Sequence, residues 1–261
     1  MTSEPIKAYG GIAFPATLLR SFAEKIDGGS FPFHLDHDLT KPIRIRSVEV
    51  FVHDRNDGIS ELRFRAEMHA DDVHFIDSRP GVSATVMSPL ARDEHSPRQF
   101  DAQFQLSADH AWFEDEALIG VEERLIELGV PADSLLVQRA YQFAVVPGPQ
   151  IYIDVAFSVL LSVGASAIWD GIKLLFARRR TPPGGDATTP TTVNIEITDG
   201  SRVLRAVVTT DDLDVAKRAI DSLEVVATGF QRGVQGADAR SDPLAPTTTW
   251  DEPNGRWTPP M

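Results

Sequence analysis

Cysteine is absent from the chain, which rules out a disulfide framework, a thiolate nucleophile and a Cys-ligated zinc site. A cytoplasmic location fits that composition. Positive charge is scarce: 25 Lys and Arg stand against 38 Asp and Glu, a net charge of −13. Such a surface repels nucleic-acid phosphates and anionic lipid, so a polynucleotide partner is not expected. Residues 1 to 20 lack the basic start, apolar core and small-residue cleavage site of a signal peptide. No apolar run is long enough for a membrane span: the longest uncharged stretch, Val155 to Trp169, has 15 residues, where a span needs about 20.

What the chain does contain, 261 residues at 42% hydrophobic, suffices to bury a sizeable core. Leu18, Leu19, Phe22 and Ile26 share one helical face, Pro15 suits the first turn, and Asp27-Gly-Gly29 ends it. The segment Phe31 to His37 reads as a strand. Val48, Val50 and Val52 alternate, a turn at Arg55-Asn-Asp-Gly58 follows, and Leu62, Phe64 and Ala66 continue the alternation, which predicts an antiparallel hairpin. Further strands are expected over 81–87, 100–106 and 135–146, with a helix over 114–128. The fold class expected is α+β: a mainly antiparallel β domain over 1–150, then a long apolar helix and a small ββα unit.

The apolar helix is read over 151–180, with Asp154, Ser158, Ser162, Ser166 and Asp170 recurring at every fourth position as a narrow polar stripe. A buried or self-associating helix is favoured there over membrane association, because Asp154, Asp170 and Lys173 interrupt it. Arg178-Arg-Arg180 opens a linker (181–192). The ββα appendage follows at 193–228, and a Gly-, Pro- and Thr-rich tail at 229–261 is expected to be disordered.

Chemistry is expected to centre on His34 to Asp38, where two histidines and two aspartates fall within five residues. His37, followed by Asp38, suits a general base for a hydroxyl brought by another strand. Ser83 is the candidate nucleophile, with Gly81 and Ala84 leaving room for a substrate carbonyl near backbone N–H donors. His34 is a structural or substrate-contacting residue.

Gly10-Gly-Ile-Ala-Phe-Pro15, a helix, His37-Asp38, Lys41-Pro-Ile43 and the serine strand resemble the HK97-type prohead maturation proteases over about residues 10–87. These are serine peptidases of the herpesvirus-assemblin kind, which cut scaffold and capsid proteins in phage head assembly. The resemblance implies acyl transfer on a protein substrate, with His37 as base and Ser83 as nucleophile. It also aligns Tyr141 to Pro149 with a later family strand, placing Gln142 where the family carries an acidic third member. Arg44 stands where the family has glycine, and Ser83 is followed by Ala-Thr rather than apolar-Gly. Gln142 can orient an imidazole without stabilising its charged form, so a catalytically inactive relative is an alternative reading.

A His/Asp metal hydrolase is the second alternative, drawing on His34, Asp36, His37 and Asp38 with His69 and His74. Strand alternation cannot turn residues 34, 36 and 37 toward one ion, and no metal or other cofactor is expected. Asp71, Asp72, Asp93 and Glu94 read as solvated surface. Residues 151–227 also resemble, more loosely, accessory modules attached to effectors in bacterial conflict systems. That points to an interaction or assembly role with a protein partner, a homo-oligomer included.

Overall fold

In the computed structural model the described residues are 2–5, 11, 13–26, 34–35, 38–42, 45–73, 85–90, 102–142, 148–200, 202–233 and 247–258. They fall into two compact units. One comprises Met1–Thr85 with 142–147 and 182–184, the other Val86–Tyr141, Gly148–Thr181 and Gly185–Met261. The class is mixed α+β.

The first unit follows its sequence pattern closely. Helix α1 (Ala16–Ile26) starts one residue after Pro15, whose carbonyl accepts from Leu18 and Leu19. It buries Leu19 and packs on the hairpin of β3 (Ile45–Asp54) and β4 (Ser60–Met68). The expected turn closes through Arg55 N–H to the Ile59 carbonyl, with Gly58 at φ 83°, a left-handed conformation that glycine adopts without steric cost. Val50 and Val52 lie opposite Phe64 and Leu62. Ahead of the hairpin, β1 (His34–Leu35) pairs with β2 (Asp38–Pro42), and Leu35 lies opposite Asp38. Of the segment read as one strand over Phe31 to His37, the described part is His34–Leu35, which pairs antiparallel with β2.

The second unit departs from the expectation of mainly antiparallel pairing. Its elements are β5 (Thr85–Pro89), β6 (Phe104–Asp109), α2 (Asp115–Glu127), β7 (Leu135–Gln142), β8 (Gln150–Ala156), α3 (Phe157–Val163), α4 (Ala165–Ala177), β9 (Thr191–Asp199), β10 (Arg202–Thr210), α5 (Leu213–Asp221), α6 (Leu223–Gly233), β11 (Thr247–Asp251) and β12 (Arg256–Trp257). One eight-stranded sheet runs in the order β12-β11-β10-β9-β8-β6-β7-β5. Three of its pairs are parallel: β6 with β7, β8 with β9, and β10 with β11. Each is joined by a helical crossover, the connection that parallel neighbours require: α2, then α3 with α4, then α5 with α6.

Three expectations are corrected by this sheet. Residue 150 is no boundary, because β6 and β8 lie side by side on either side of it in sequence. The segment 193–228 is no appendage, because β9 pairs along β8 from Thr192 to Thr198. The tail is not disordered throughout: β11 and β12 extend the sheet, and the indole N–H of Trp257 donates to the Ala219 carbonyl and the Ser222 hydroxyl, both at 3.1 Å.

The apolar segment is likewise not one helix. Ile151, Ile153 and Val155 alternate inward as a strand, and the helical part bends by 87° between α3 and α4 at Gly164. There φ is 83° and ψ 156°, a region essentially closed to residues with a Cβ. Among the described residues no single helix is long and apolar enough to cross a membrane.

The core lies on one sheet face. Phe104, Leu106 and Ala108 neighbour Val155, Ile153 and Ile151, which neighbour Ile197, Ile195 and Val193, then Leu204, Ala206 and Val208. All are buried, as are the stripes of α2 (Leu118, Val121, Leu125) and α4 (Ile168, Ile172, Leu175). Gly171 faces α2 where the two helices meet, and a Cβ there would touch a Val121 methyl at 3.4 Å. The other sheet face carries a polar row, Gln105, Asp154, Glu196 and Arg205.

Candidate functional site

Polar side chains gather where β6 ends and α2 begins. Asp109, fully buried, accepts the Ala111 N–H on its carboxylate and those of Trp112 and Phe113 on its carbonyl. This tight turn buries Ala111, Trp112 and Phe113 and leaves His110 at its head. The carboxyl ends of the parallel pair β6 and β7 meet here, the end of an open α/β sheet where ligands bind.

On the next strand, Arg139 grips Asp115 with both arms of its guanidinium, at 2.6 and 2.5 Å. Those hydrogen bonds hold the Asp115 carboxyl below its ordinary range and raise the arginine. His110 sits edge-on to Tyr141, ring centres 5.6 Å apart. Its side chain is 18% exposed, and Nδ1 lies 3.6 Å from Asp115 Oδ1, too far for a hydrogen bond. Nδ1 is buried without a hydrogen-bond partner. Burial lowers the pKa of the imidazole, against the pull of Asp115, and burial raises that of the Tyr141 phenol.

The run Arg178 to Arg180, expected to open a solvated linker, instead clamps this corner. Arg180 donates to the carbonyls of Ala111 (2.9 Å) and His110 (3.0 Å) and pairs with Glu114, while its backbone N–H reaches the Trp112 carbonyl. Arg179 stacks on the Trp112 ring at 4.8 Å and donates to the Thr189 carbonyl. Arg178 crosses Gly120 to the Glu116 carbonyl at 2.8 Å. Three adjacent cations thus bind α2, β6 and the approach to β9 to the end of α4.

Chemically, the cluster holds an imidazole whose burial favours the neutral form and whose nearest carboxylate is committed to Arg139. That is an arrangement for fixing a turn: the group that would orient a general base is engaged elsewhere. Sequence reasoning missed it, although the alternation Phe104, Leu106, Ala108 running into His110 and an acidic helix start at Glu114-Asp115 carried a signal.

Of the residues singled out by sequence, His37, Ser83 and Gly81 lie outside the described residues, as do Asp36, Arg44, His74, Asp93 and Glu94. His34 opens β1. Gln142 ends β7 with its side chain buried, 2% exposed. Asp72, expected on the solvated surface, is buried in a short 3-10 turn. Among the described residues no three His, Asp or Glu side chains converge as metal ligands. No family model, curated protein or solved structure matches the chain.

Proposed function

We propose that the chain is a non-catalytic assembly module that associates with a second copy of itself through the corner formed by α3 and α6. The observation that carries this reading is the pair Leu161 and Val225, 56% and 74% exposed on two touching helices, while Phe157, Val159 and Leu160 on α3 are buried. Large aliphatic side chains left in water on a rigid corner gain free energy when a partner covers them.

Sedimentation velocity over a range of concentrations tests the proposal. The wild-type chain should show a concentration-dependent second species, strengthened by salt because copies of net charge −13 repel one another until screened. Leu161→Glu combined with Val225→Glu should abolish it without lowering the thermal midpoint. A chain that stays monomeric throughout contradicts the proposal.

A second reading is the serine peptidase, with His37 removing the proton of Ser83 and that oxygen attacking a peptide carbonyl. The burial of Gln142 at the end of β7 favours it, since an orienting partner is a sequestered residue and not a solvent-facing one. A fluorophosphonate probe should then label Ser83, and His37→Ala should remove the label. An unlabelled chain leaves the assembly module alone.

A further inference from the structure

We propose that the turn from His110 to Glu114 is a proton-sensitive clasp, held shut by Arg180 while His110 is neutral and released when its imidazole takes up a proton. Its closed form rests on the grip of Arg180 on the His110, Ala111 and Trp112 carbonyls. Those bonds fasten the end of α4 to the junction of β6 and α2. The residue whose carbonyl is held there also carries the only described histidine ring with a buried, unpartnered ring nitrogen.

Among the described residues, the charged and titratable groups around that ring come from four directions. Glu114 and Asp115 belong to the start of α2, Arg139 and Tyr141 to β7, Arg180 to the segment after α4, and Asp109 to the end of β6 itself. The two carboxylates at the start of the helix are engaged, Asp115 by Arg139 and the N-cap residue Glu114 by Arg180, and Asp109 accepts the Ala111 N–H. A proton on His110 therefore sets a third cation beside two guanidinium groups whose counter-ions are already committed. The ring gains Asp115 only by drawing it from Arg139, and it repels the guanidinium on its own carbonyl. Burial, the largest influence on the ring, favours the neutral form, and Arg139 and Arg180 act in the same sense.

The direction follows from linkage. A histidine whose pKa in the closed form lies below its ordinary 6.5 keeps the clasp shut above that value. Closure weakens as the pH falls through 6.5 toward the lower closed-form value.

Hydrogen exchange of the full chain, with rates corrected for their intrinsic pH dependence, provides the test at about pH 7.5 and about pH 5. Peptides covering 110–118 and 176–181 should lose protection severalfold in acid, with β9 and β10 unchanged, and His110→Gln should hold the same protection at both values. Equal protection in the wild-type chain at the two values overturns the clasp, as does an acid loss that persists in His110→Gln. If that variant fails to fold, the ring proton resonances of wild-type His110 decide: a titration midpoint below 6.5 is expected, and one at or above 6.5 overturns it.

Discussion

The Glu224 carboxylate accepts a hydrogen bond from the backbone N–H of Ala165 at 2.9 Å, so α4 is capped by a neighbouring helix and not by its own sequence. Its N-cap position is Gly164, which has no side chain to offer. An acid at a helix start both satisfies an orphan donor and opposes the positive end of the helix dipole. Glu224→Ala should cost about 0.5–2 kcal/mol, the range for losing a cap. Glu224→Gln, which keeps an acceptor, should cost less. Urea denaturation of both variants checks the ranking.

Gly164 itself sets the bend between α3 and α4. Its φ of 83° with ψ of 156° lies where a Cβ costs about 1–3 kcal/mol. Gly164→Ala should therefore lower the urea midpoint although a Cβ would meet nothing closer than 3.6 Å. A neutral effect would show that the bend is not held in that conformation.

Ile195, fully buried at the middle of β9, distinguishes one sheet from a core with an appendage. Ile195→Ala should cost about 2–5 kcal/mol. Unfolding followed by fluorescence of Trp112, Trp169, Trp250 and Trp257, all in the second unit, should shift as one transition. A separate early transition reported by Trp257, whose indole bonds to Ala219 and Ser222 within 193–228, would restore the appendage.

The Asp115 carboxyl is held below its ordinary value of 3.8, chiefly by the Arg139 hydrogen bonds. Its contribution to stability is then present above 3.8 and lost as the pH falls through the depressed folded-state value. Arg139→Gln should lie below wild type in urea midpoint at about pH 5, with the gap closing toward about pH 2. A gap independent of pH would assign the loss to packing alone.

The hairpin of β3 and β4 was legible because its signals are local: alternating valines, a turn with Gly58, and charges on the other face. The sheet of the second unit was not, because parallel pairing joins segments separated by a whole helix and leaves no mark at short range. Ile151 to Val155 illustrates this. Five mostly β-branched residues ahead of a helix merge with it in any hydropathy pattern, and only their pairing with β6 and β9 makes them a strand. Arg178 to Arg180 misled for a related reason. A basic run before Pro and Gly reads as solvated, yet each guanidinium reaches a carbonyl set by tertiary structure. Among the proposed catalytic residues, Gln142 could be recognised as strand-borne, while its burial is a product of the fold.

Because the chain contains no cysteine, a thiol placed at one site reports on that site alone. The most direct measurement of assembly through α3 and α6 is the maleimide reaction rate of Val225→Cys, compared with Glu252→Cys as an exposed control, across protein concentrations. Reaction at residue 225 is expected to slow as concentration rises while residue 252 reacts unchanged; equal rates at every concentration at both positions would contradict self-association through this corner.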